Sequence, residues 1–261
     1  MRPLLAAPAI ALLLCVACDT LPEGQRSDAP VTGPPEVEVA TIERHARQFD
    51  EEEPVREAGS QEELAASAYM VAHVTDAGYV FRLDAVPVAD LVRSTNVVAL
   101  PPSGAEPAAI VVTGYDSTAE TPPNGRAIGV WLEVARALRV VDREHSVEFV
   151  ALGAEETDLS DGRLGSRRLA QQLSDDAVSP PIVVVGRVSD ADGAAEVAGA
   201  DGAAVRDAGK AAGVRVRVAP DRVASSTPTA GVFAAAGFDT TVVSGAAEPV
   251  ARVLLAYLTT L

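Results

Sequence analysis

Three largely apolar runs constrain this chain most: residues 109–113, 147–152 (interrupted by Glu148) and 182–185. None alternates as a half-exposed strand does, so each is expected to be covered on both faces, as in a parallel sheet. Helix-length patterns separate them. Residues 124–141 place Ile128, Trp131, Leu132, Ala135 and Leu138 along one side, and residues 164–173 form a shorter helix. Strands alternating with such helices predict an α/β fold, a three-layer α/β/α sandwich around a mostly parallel mixed sheet. Before this core, residues 39–52 read as a charged helical stretch. Ser60 caps a helix over 61–76, with Glu63 completing a capping box and Gly78 ending it. Residues 79–88 and 96–100 read as strands, the second stopped by Pro101-Pro102. Toward the C-terminus the pattern gives a helix over 203–212, a strand over 214–218 and a helix over 231–236. A strand over 240–243 and an amphipathic helix over 248–258 complete it.

The first residues read as a targeting segment. Arg2 precedes an apolar run over 4–16 that is too short to span a bilayer comfortably. Leu14-Cys15-Val16-Ala17-Cys18 resembles a bacterial lipoprotein signal. The resemblance implies a signal peptide over 1–17, lipid on Cys18, a flexible tether over 18–37 rich in Pro, Gly and acidic residues, and a domain over 38–261. It implies a place in the bacterial cell envelope, anchored to the membrane outside the cytoplasm, with plain secretion as the alternative. Both cysteines lie in this segment, which removes disulfides and thiolate zinc sites from the domain. A net charge of −16 argues against nucleic acid as a partner. No phosphate-loop pattern occurs, and Ser225-Ser226-Thr227 has no accompanying histidine to act as base.

Three apolar strands end in suggestive places. The first runs into Gly114-Tyr115-Asp116-Ser117, the second into Glu155-Glu156, the third into Gly186. In a parallel sheet these ends share one edge and line one crevice, where open α/β sheets bind their ligands. Adjacent carboxylates resist joint ionisation unless a cation or a donor compensates, so at least one of the pair is expected to titrate high.

Several segments taken in order resemble metallopeptidase family 28, the two-zinc aminopeptidases whose fold also serves carboxypeptidases and glutaminyl cyclases. They are Arg56-Glu57-Ala58-Gly59-Ser60, Ser94-Thr95-Asn96-Val97-Val98-Ala99, Ile110-Val111-Val112 into Tyr115-Asp116-Ser117, and Glu133-Val134-Ala135-Arg136-Ala137-Leu138. Phe149-Val150-Ala151 through Glu155-Glu156 to Leu164-Gly165-Ser166-Arg167, and Phe233 to Phe238, continue the series. By this resemblance Glu155 stands at the general base, Glu156 at a metal ligand, and Asp116 at the residue that orients a ligand histidine. The other ligand positions fall at Gly114, Pro123 and near Gly186, and the C-terminal ligand histidine has no counterpart.

A catalytic zinc needs about three protein ligands and an open position, and Glu155 without a metal-bound water has no useful nucleophile to activate. The three histidines, His45, His73 and His145, are placed away from the expected site. Asp190, Asp192 or Glu120 as substitutes would give an all-oxygen site suited to calcium or magnesium rather than zinc. The expectation is therefore a peptidase-like domain that has lost its usual zinc-dependent activity, needs no cofactor, and takes a peptide or protein in its cleft or serves in assembly. The alternative is an active metallo-aminopeptidase with zinc in a reorganised site.

Overall fold

The computed structural model describes residues 36–101, 103–141, 146–157, 162–190, 192–219 and 227–261. Cys18 with the whole expected signal and tether up to residue 35, His145 and Ser225-Ser226 lie outside these residues.

Eight strands form one sheet in the order β1-β2-β4-β3-β5-β8-β6-β7. They are β1 (Val80–Pro87), β2 (Arg93–Leu100), β3 (Ala109–Gly114), β4 (Val147–Leu152), β5 (Ile182–Ser189), β6 (Ala195–Gly199), β7 (Val216–Val218) and β8 (Thr240–Ala246). The central strands β4, β3, β5 and β8 are mutually parallel. Antiparallel pairs β1–β2, β2–β4 and β6–β8 flank them. The three apolar runs are thus parallel neighbours, and β4 is buried at all its positions.

The helices are α1 (Val39–Arg47), α2 (Gln61–Asp76), α3 (Gly125–Val141), α4 (Leu164–Asp175), α5 (Gly202–Ala211), α6 (Pro228–Ala235) and α7 (Ala247–Leu258). A π-helical turn over Gln48–Glu52 continues α1 and buries Phe49. Two apolar clusters lie on opposite faces of the sheet. One joins α1, α2, α3, α5 and α7 through Ile42, Met70, Trp131, Val205 and Leu254. The other joins α4 and α6 through Leu169, Leu173 and Phe233. The outcome is the expected three-layer sandwich.

Four local expectations are corrected. The Ser60 hydroxyl accepts the Glu63 amide as a cap does, but the Glu63 carboxylate reaches the Gly59 amide at 2.5 Å instead of Ser60. It also accepts the Ser94 hydroxyl, so this buried acid ties α2 to β2. Strand β6 was not foreseen, because Ala-Glu-Val-Ala-Gly carries little β-signal. Helix α6 begins earlier than its pattern predicts, with Thr227 as N-cap and Pro228 in the first turn. Strand β7 is shorter than expected, three residues at the sheet's edge.

Candidate functional site

The C-terminal ends of β3, β4 and β5 meet α3 and α6 around a cleft of about 270 Å³. Gly114, Asp116, Pro123, Glu155, Glu156 and Gly186 all line it, so the topology brings the singled-out positions together. Arg163, Arg187 and Thr229 line it too, and none of these was picked out from sequence. A larger groove, about 620 Å³, lies between α3, α5 and α7. Its charged lining is Glu36, Glu248 and Arg252, away from the strand ends where this fold gathers its chemistry.

Asp116 follows β3 and is 1% exposed. Its two carboxylate oxygens accept the backbone amides of Glu155 at 2.9 Å and Glu156 at 2.8 Å. Asp116 thus anchors the turn that carries both glutamates. Burial pushes its carboxyl up to about 8; the amide of Glu156 pulls it down, nearby Glu155 pushes it up, and the Glu155 amide pulls it down.

The turn itself is tight, with Ala154 in the left-handed region at φ 53°. It sends the two glutamates different ways. Glu155 is buried, accepting the Ser166 amide at 2.7 Å on one oxygen and the Thr229 hydroxyl at 2.6 Å on the other. Burial pushes its carboxyl above the ordinary range, against the pull of those two donors and of Arg163. The expected high titration therefore comes from desolvation and not from repulsion by Glu156. Glu156 is partly exposed and pairs with Arg163 at 3.0 Å. Arg163, also left-handed at φ 57°, donates to the Glu155 carbonyl as well. The compensating cation that the pair requires is thus a guanidinium.

Another arginine, fully buried, braces the elements around the cleft. Arg56, 1% exposed, donates to the carbonyls of Tyr115 at 2.7 Å and Phe49 at 2.6 Å, to that of Glu53, and to the Asn124 side chain. Asn124 in turn donates to the Asp116 carbonyl at 3.1 Å. The start of α3 is therefore locked to the end of β3. Burial lowers the Arg56 guanidinium, and Asp50, Asp116 and Glu53 oppose that shift.

The donor set does not fit zinc. Among the described residues, no group of three or more His, Cys, Asp or Glu side chains is placed to hold a metal ion. The carboxylates at the family's positions are turned onto amides, a hydroxyl and a guanidinium. A Cβ built on Gly114, the position that the resemblance gives to a histidine, meets Glu155 Cγ at 3.3 Å, a tight contact that Glu155 would have to yield by a few tenths of an ångström to admit. The proposed substitutes do not arrive either. Asp190 is 74% exposed and pairs with Arg126 at 3.7 Å, while Asp192 and Glu120 are exposed and outside the cleft lining. His45 and His73 pack edge-to-face between α1 and α2, ring centroids 4.7 Å apart, with Tyr69 against both.

This arrangement defines the class first: an α/β sandwich with its crevice at the carboxyl ends of parallel strands. Residues 96–187, spanning β2 to β5, match Peptidase family M28, so the resemblance read from the sequence is borne out. No curated protein matches the chain. Three solved structures illustrate the shared fold. A leucine aminopeptidase precursor from Bacteroides thetaiotaomicron aligns with TM-score 0.68 at 13% identity, over 87% of this chain and 98% of its own. A glutaminyl cyclase from an Acidobacteriales bacterium aligns with TM-score 0.67 at 15% identity, over 89% and 97%. BSAP, a zinc aminopeptidase from Bacillus subtilis, aligns with TM-score 0.62 at 15% identity, over 80% and 85%.

Proposed function

We propose that this is an extracytoplasmic, lipid-anchored domain that keeps the cleft of the peptidase fold without the usual zinc-dependent peptidase activity. The cleft then serves to bind a peptide or an exposed protein segment. The observation that carries this reading is the satisfaction of Glu155, Glu156 and Asp116 by protein donors. The carboxylates at the family's general-base, metal-ligand and orienting positions are each spent on an amide, a hydroxyl or Arg163. Stripping such a carboxylate of its donors to bind a cation leaves buried amides unpaired, at about 1–3 kcal/mol each. The anchor rests on Cys18 and the segment before it.

The test is hydrolysis of aminoacyl and N-terminal glutaminyl substrates by the purified full chain, beside Glu155→Gln. The proposal expects no turnover above the no-enzyme rate in either protein. Turnover in the wild type that disappears in Glu155→Gln would establish the alternative, an active enzyme with a reorganised site.

A further inference from the structure

The two edges of the sheet are unlike. β7 is three residues long, which leaves little backbone to pair with. β1 is eight residues long, bonded to β2 along its inner side, and no described strand pairs with its outer side. A long apolar edge is a template for another strand, and this one carries Val80 57% exposed, Phe81 44% and Leu83 51%. Phe81 and Leu83 stand opposite Ala99 and Val97 of β2, on the face that α2 covers. Leu64 of α2 is 68% exposed. On the other face Arg82 and Asp84 form a two-pronged ion pair at 2.8 and 3.0 Å.

We propose that β1 pairs antiparallel with β1 of a second copy of this chain, about a two-fold axis through Leu83, joining the two sheets into one. The charges select the register. With Leu83 opposite its twin, Arg82 of each copy stands opposite Asp84 of the other, and Phe81 opposite Ala85. Centring the pair on Arg82 or on Asp84 instead sets like charges directly opposite, which is destabilising. In a sheet the register also decides which face each side chain occupies, so this choice keeps Leu83 and Phe81 together on the α2 side. Each copy carries a net charge of −16, so a bare edge would be repelled by its twin. The two reciprocal Arg82–Asp84 contacts counter that at the seam. Pro87, which lacks an amide, falls at the end of β1 and leaves the centre free to pair. This association does not depend on what the cleft binds.

Sedimentation velocity of the full chain over a range of concentrations tests it. A dimer is expected, weakened at least about tenfold by Leu83→Lys and by Arg82→Asp, since each sets charge against charge or buries it. The double swap Arg82→Asp with Asp84→Arg recreates the reciprocal pairs and should restore the dimer to near wild-type affinity. Circular dichroism and thermal unfolding confirm that each variant is folded, and Leu83→Thr replaces Leu83→Lys if that one is not. A wild type still monomeric at about 100 μM, a dimer indifferent to the Leu83 variants, or a folded double swap that stays monomeric would overturn the proposal.

Discussion

Asp116 braces the crevice through its carboxylate. Its carboxylate binds the two amides of the glutamate turn, and such contacts hold Ala154 of that turn in its left-handed backbone. Asp116→Ala should therefore destabilise the fold by about 3 kcal/mol, because it leaves a buried and a half-buried amide unpaired. Urea unfolding measures this. A residue that served only to orient a metal ligand would cost far less in the metal-free protein, so a loss below about 1 kcal/mol contradicts the structural role. Asp116, Glu155 and Glu156 lie at the crevice, a position legible in the sequence because apolar runs mark where strands end. Arg163 and Thr229 were not legible in this way, because their partnerships depend on chain direction after a turn. Arg163 lies seven residues past Glu156 and reaches it only through a left-handed backbone that no residue type announces.

Among the elements, the buried ones were read best. β3, β4 and α3 came out within a residue or so of their observed bounds, since largely apolar runs and a helical stripe leave few alternatives. The weak elements lie at the sheet's far side. β6 is built from Ala, Glu, Val and Gly, and its strand identity comes from pairing with β8 rather than from its own propensity. The glycines at the site are decided by tertiary contact in the same way. A Cβ on Gly165 would overlap the Gly153 carbonyl oxygen, so α4 can start against the end of β4 only with glycine there. That approach delivers the Ser166 amide to Glu155. Nothing local in Leu-Gly-Ser-Arg signals it, although the resemblance to the peptidase family had already marked the segment.

For the whole molecule, the buried titratable groups pull stability in one main direction with pH. Burial pushes Glu148 up to about 7, with Arg82 opposing and Asp84 adding to the shift. Burial likewise raises Glu63 and Glu155, and takes Asp116 to about 8. A raised carboxyl pKa means the folded state holds its proton more tightly than the unfolded chain. Its contribution is therefore full below the ordinary carboxylate value and is lost as pH rises through 7 and 8. His45 works the other way: burial and His73 lower it to about 4, so folding loses stability as pH falls from its usual 6.5. The raised carboxyls outnumber His45, so thermal stability should already be falling above about pH 5 and be lower by about 5 °C or more at pH 8. A peak at pH 8 would contradict the burial of these acids in their observed settings.

The central claim is that the glutamate turn is held by protein donors in place of a metal. Zinc content, measured by mass spectrometry on the full chain after incubation with excess zinc and removal of the free ion, tests it most directly. The account predicts well under one zinc per chain, with no difference between the wild type and Glu156→Gln. One or two zinc ions per chain, lost in Glu156→Gln, would contradict it.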